Sequence, residues 1–146
     1  MDIKIVNAEE KHIPDIAALE REYFSLPWSE DSLKTCLNGQ HIFLSALYGD
    51  KLIGYVSIDY VLDEGYFNNI AVSREYRRKG AAQALLSELD RQAEEKELSF
   101  ISLEVRKSNE SALELYRKNG YQEVGIRKKY YEKPVEDAII MTKFLK

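Results

Sequence analysis

Residues 70–86 read IAVSREYRRKGAAQALL. Ile70, Ala71 and Val72 close an apolar run predicted as a strand over 66–73. Ala82, Leu85, Leu86, Leu89 and Ala93 then recur on one face of a helix predicted over 80–97. Between strand and helix lies a basic turn, Arg77-Arg78-Lys79, which runs into Gly80-Ala81-Ala82-Gln83. The first N–H groups of a helix have no intrahelical partner and point outward. The helix dipole makes that end positive. The small residues Gly80, Ala81 and Ala82 let an anion reach the backbone. Cations are disfavoured at a helix start unless an anion is to be met there. The stretch therefore reads as a pyrophosphate cradle. Taken alone it also fits a solvated basic turn. Two other phosphate loops are excluded: the chain has no G-x-x-x-x-G-K-(S/T), and no G-x-G-x-x-G follows its first strand.

Outward from this stretch the pattern alternates between strand and helix periods. Residues 2–7 read as a short strand. Ile13, Ile16, Leu19 and Tyr23 set an amphipathic helix over 11–24, with Pro14 in its first turn. Ser29 opens a short helix carrying Leu33, Cys36 and Leu37, and Gly39 ends it. HIFLSALY and LIGYVSIDYVL flank Gly49-Asp50 and form a hairpin. SFISLEVR, residues 99–106, is a strand. Ser108 is the predicted cap of a helix with Ala112, Leu115 and Tyr116 on one side, ended by Asn119-Gly120. YQEVGIRKKYY and DAIIMTKFL finish the chain as strands around Pro134. The order is β-α-α-β-β-β-α-β-α-β-β, an α+β class with helices layered on a mixed sheet. The β-α-β unit over 66–106 requires a parallel strand pair with a right-handed crossover.

The chain has 146 residues, 45% of them hydrophobic, and no repeat or linker-like stretch, so one domain over 1–146 is expected. Lysines and arginines number 21 against 25 acids, a net charge of −4, which argues against nucleic acid or an anionic membrane as partner. Cys36 is the single cysteine, so a Cys-rich zinc site is excluded, and a buried thiol fits it better than a nucleophile. His12 and His41 read as structural. No apolar run approaches a membrane span, and MDIKIVNAEEK has no signal-peptide core, so a cytoplasmic location is expected.

Two further residues carry chemistry. Glu104 has the strand parity of Ser102 and Arg106, opposite to Ile101, Leu103 and Val105. It thus projects away from the aliphatic row, where it is either a cleft carboxylate able to take a proton or an ordinary exposed acid. Tyr116 is either a core aromatic or a phenol able to give a proton; a packed ring with a free hydroxyl is both.

Arg77-Arg78-Lys79-Gly80-Ala81-Ala82 resembles the acetyl-CoA loop of the GNAT superfamily of N-acetyltransferases, (Gln or Arg)-x-x-Gly-x-(Gly or Ala), with Ala82 in the last place. The element order resembles that superfamily over the whole chain. FSLPWSEDSL, LEVRKSNESALELYRKNGY and EDAIIM further resemble the bacterial ribosomal-protein-alanine N-acetyltransferase group. The resemblance implies the GNAT fold, with strands 66–73 and 99–106 splayed apart. It implies acetyl-CoA as cosubstrate and no metal. Ile70, Ala71 and Val72 would pair by their backbone with the pantetheine arm, residues 77–83 would hold the pyrophosphate, and Asn109 would touch the cofactor. Glu104 would be the general base and Tyr116 the general acid. Trp28, Tyr130 and Tyr131 would border the acceptor cleft, and Asp59, Asp63 and Glu64 could attract a basic tail. The implied acceptor is the N-terminal segment of a small-subunit ribosomal protein, beginning with alanine. A lysine, polyamine or other small amine is the alternative. The protein is expected to be a monomer or weak dimer.

Overall fold

The computed structural model describes residues 2–146. Its elements are β1 (Ile3–Asn7), α1 (Ile13–Tyr23), α2 (Glu30–Thr35), β2 (His41–Tyr48), β3 (Lys51–Val61), β4 (Glu64–Val72), α3 (Ala81–Glu95), β5 (Phe100–Arg106), α4 (Glu110–Lys118), β6 (Gln122–Glu132) and β7 (Val135–Phe144). This is the predicted order. The seven strands form one sheet in the order β1-β2-β3-β4-β5-β7-β6. Every neighbouring pair is antiparallel except β4–β5.

Side chains alternate across the sheet into two cores. On one face Ile42, Leu44 and Ala46 of β2 pack with Leu85, Leu86 and Leu89 of α3 and with Leu113 and Tyr116 of α4. On the other, Phe43 meets Ile13, Ile16 and Ala17 of α1 and Leu33 of α2. The three α3 leucines are fully buried. Each contributes about 1.5–3 kcal/mol relative to exposure.

The parallel pair is short. β4 and β5 are in register only at Glu64↔Phe100, Gly65↔Ile101 and Tyr66↔Ser102. Beyond that point β5 follows β7 as far as Arg106↔Ala138, while β4 follows β3 as far as Val72↔Gly54. A wedge opens between them, and over Phe67–Val72 β4 has a strand partner on one side only. The β3–β4 contact is correspondingly tight: a Cβ on Gly54 would stand 2.8 Å from the Ala71 carbonyl oxygen. A register shift also occurs in β4, where Ser57 faces Asn69 and Ile58 faces Phe67, leaving Asn68 as the extra residue of a bulge.

One cap differs from expectation. Asn109, not Ser108, caps α4, its side-chain oxygen accepting the Ala112 N–H at 3.2 Å. Ser108 is held one residue earlier because its own N–H donates to the Glu136 carboxylate at 2.6 Å.

Candidate active site

The wedge between β4 and β5 holds a groove on one side and a cleft on the other. The groove is lined by Ile70–Val72 of β4, by Arg77, Arg78 and Gly80–Gln83 at the start of α3, and by Asn109, Ala112 and Tyr116 around α4. Ten of the eleven residues proposed from sequence for the cofactor thus stand on one wall; Lys79 does not. Gly80 is the N-cap of α3, with φ +91°, a left-handed conformation that suits glycine. The unpaired N–H groups of the first helical turn follow it into the groove.

Two residues of this loop are tied to the rest of the fold. Arg77 Nε donates to the Val72 carbonyl at 3.0 Å, and its guanidinium lies 4.6 Å from the centre of the Tyr23 ring. Gln83 exchanges two hydrogen bonds with Asn119, at 2.8 and 3.0 Å, and so ties the start of α3 to the end of α4.

The cleft lies across the wedge. Its walls are Tyr23 and Phe24 at the end of α1, Phe67–Ile70 of β4, Leu103–Arg106 of β5, and Tyr130 and Tyr131 of β6. Ile70, Asn109, Ala112 and Tyr116 line both the cleft and the groove, so the two meet at Tyr116. Glu104 is on the cleft wall, with Arg127 Nε at 3.3 Å. Its parity is as read: Ile101, Leu103 and Val105 are buried and Glu104 is half-buried.

Tyr116 is packed as a core aromatic, and it stands where groove and cleft meet. Its ring packs edge-on against Phe67 at 6.1 Å and beside Tyr121 at 5.6 Å. Burial pushes its phenol well above the ordinary tyrosine value. Tyr131 is pushed up to about 12, first by burial and then by Tyr130. Arg106 pins the β6–β7 turn: it pairs with Glu136 at 3.2 Å, lies 4.4 Å from the Tyr131 ring centre, and donates to the Pro134 carbonyl at 2.9 Å.

Trp28 lines a second depression at the cleft mouth with Leu26, Tyr130, Tyr131 and Lys133. His12 is buried, bonded to the Glu9 N–H at 3.0 Å and to Ser45 Oγ at 2.9 Å, and burial lowers its pKa. His41 Nδ1 meets Asp59 at 2.6 Å across β2 and β3, and Asn68 also donates to that carboxylate. Cys36 is buried, and burial raises its thiol. Cys36, His41 and Asp59 bring their polar atoms within 4.8 Å of one another. Asp63 accepts from Ser99 and Glu64 from Tyr66, so the hairpin-end acids have bonds within the chain.

Tyr23 reads from the sequence only as part of the apolar face of α1, and Asn68 and Asn69 only as part of a strand, yet all three line the cleft. A doublet of asparagines inside a strand, where asparagine is a poor fit, was the available signal.

The family model described as the acetyltransferase (GNAT) family matches residues 13–121. The chain is 38% identical to the ribosomal protein bS18-alanine N-acetyltransferase of Haemophilus influenzae over 130 residues, 87% of this chain and 88% of that one. It is 33% identical to the Escherichia coli enzyme of the same name over 139 residues, 94% of each chain. The crystal structure of the ribosomal-protein-S18-alanine N-acetyltransferase from Escherichia coli superposes with a TM-score of 0.90 at 32% identity, covering 99% of this chain and 94% of that one. The chain therefore belongs to the acetyltransferase (GNAT) family and is an acyl-transferring enzyme of the N-acetyltransferase type. Acetyl-CoA is the family's donor. Among the described residues no helix is long and apolar enough to cross a membrane.

Proposed function

We propose that the protein transfers acetyl from acetyl-CoA to the N-terminal alanine of a small-subunit ribosomal protein. The observation that carries this reading is the meeting of groove and cleft at Tyr116, with Glu104 on the cleft side. Relatives named for that acceptor, at 33–38% identity over most of both chains, support it. Residues 77–78 and 80–83 hold the pyrophosphate, and the single-sided backbone of Ile70–Val72 takes the pantetheine arm as a strand would. Asn109 closes the groove near the thioester.

The amine nitrogen attacks the thioester carbon, and the carbon–sulfur bond breaks. Glu104 takes the proton of the amine, directly or through water. Tyr116, at the junction of groove and cleft, gives its proton to the departing thiolate. The acceptor choice suits one carboxylate base. An α-amine with pKa near 7.8 is roughly 10% neutral at pH 7, whereas a lysine near 10.4 is about 0.04% neutral.

The test is an acetylation panel with labelled acetyl-CoA: peptides with free N-terminal alanine or serine, the same peptides with blocked N-termini and an internal lysine, and a polyamine. Label should enter the free alanine peptide fastest. Faster labelling of lysine or polyamine would overturn the reading.

A further inference from the structure

Glu20 sits near the end of α1, yet it is only 1% exposed. Three donors converge on its carboxylate. The Trp28 N–H bonds Oε1 at 2.8 Å, and Asn69 Nδ2 bonds Oε2 at 2.9 Å. The Tyr55 hydroxyl also donates to Oε2. Burial and the Glu20 charge hold the Tyr55 phenol far above its ordinary value, so it stays a donor. The Trp28 backbone N–H can only donate and the Tyr55 hydroxyl donates as well, so both oxygens of the carboxylate already accept, and this decides the orientation of the Asn69 amide. Its nitrogen must face Glu20, because a carbonyl oxygen there would oppose two acceptor oxygens.

The consequence lies on the other side of Asn69. The residue lines both the acceptor cleft and the depression at its mouth. Its Oδ1 has no hydrogen-bond partner among the described residues, and it is not among the sealed, unpartnered polar atoms, which are Asp90 Oδ1 and Tyr121 OH. An amide whose donor is committed and whose acceptor is open recognises N–H groups. The bulge at Asn68 is what brings Asn69 to this wall, beside the β4–β5 opening.

We propose that Asn69 is a specificity residue that accepts, through Oδ1, a hydrogen bond from an N–H at the N-terminal end of the acceptor chain, and that Glu20 is the positioning residue that fixes its orientation. The inference rests on the N-terminal acetylation reading. A carbonyl receiving a charged or strongly polarised N–H gives more than an ordinary neutral hydrogen bond.

Steady-state kinetics on the alanine peptide test it, alongside acetyl-CoA affinity by calorimetry. Asn69→Ala should raise the acceptor KM by roughly ten-fold or more. Its acetyl-CoA Kd should stay within about two-fold, since the residue does not line the cofactor groove. Glu20→Gln should shift the acceptor KM in the same direction, because a neutral amide at that position tolerates either orientation of Asn69. If Glu20→Gln does not fold, Asn69→Ala decides the matter alone, as it leaves the Trp28 and Tyr55 bonds to Glu20 intact. An acceptor KM within two-fold of wild type in Asn69→Ala, or an equal loss of acetyl-CoA affinity, overturns the assignment. A wild-type enzyme that acetylates no N-terminal peptide overturns instead the functional reading beneath it, and this inference with it.

Discussion

Replacing Tyr116 by phenylalanine removes one oxygen from a side chain that is 6% exposed and keeps its ring contacts with Phe67 and Tyr121. The hydroxyl has no hydrogen-bond partner among the described residues, so the variant loses no bond inside the protein. Stability should change by no more than about 1 kcal/mol, the scale of one ordinary hydrogen bond. That corresponds to roughly 2–4 °C in Tm for a chain of this size. Turnover answers to a different quantity. If Tyr116 protonates the thiolate, kcat should fall by roughly ten-fold or more, about 1.4 kcal/mol of barrier. The loss should be smaller than for the base, because a thiolate with pKa near 8.5 is a tolerable leaving group unprotonated. Thiol release from acetyl-CoA under single-turnover conditions, with the alanine peptide in excess, measures this step. An acetyl donor with a more acidic thiol needs less protonation, so it should rescue the variant more than it helps wild type. Equal responses of the two enzymes, or unchanged turnover in Tyr116→Phe, would reduce Tyr116 to a packed aromatic.

Glu104→Gln should lower kcat by roughly 10²–10⁴-fold with acetyl-CoA affinity unchanged, and the deficit should shrink as pH rises past the α-amine value near 8; full activity at pH 7 would remove Glu104 from the reaction. Gly80→Glu puts a side chain at φ +91° and a negative charge in the phosphate path, so acetyl-CoA should no longer raise its Tm; an undiminished rise would refute the loop assignment. Alkaline stability follows from the buried phenols Tyr55, Tyr116 and Tyr121, whose pKa values burial raises in the folded state. The unfolded chain loses those protons near pH 10 while the folded chain keeps them. Their contribution is therefore fully present below that pH and is lost above it, at about 1.4 kcal/mol per phenol per pH unit. The urea midpoint should fall between pH 9 and pH 11, and less steeply in Tyr121→Phe; equal slopes would contradict the burial argument.

The element order, the α+β class and the side of β5 on which Glu104 stands were legible in the chain because each depends on local periodicity. Leu85, Leu86 and Leu89 mark one helix face whatever that face meets, and alternation in FISLEVR fixes parity before any partner strand is known. The loop at 77–82 stands out along the chain for a related reason: its basic and small residues are consecutive. Boundaries were less secure, since Ser108 lost the capping position to Asn109 through a bond to Glu136, 28 residues away. The cleft wall was legible only in part: Glu104, Tyr130, Tyr131 and Trp28 could be named for it, but the cluster behind Asn69 could not. Glu20, Tyr55 and Asn69 come from a helix and two strands, and nothing in their neighbourhoods along the chain announces that one carboxylate will gather a hydroxyl and an amide. Whether β4 and β5 stay paired or part after Tyr66 likewise depends on which strand each follows, β3 or β7, and that is settled by pairing across the whole sheet. Local pattern sets each segment's conformation and facing. The wedge, the cleft and the orientation of a single amide arise only when segments distant in sequence compete for the same hydrogen bonds.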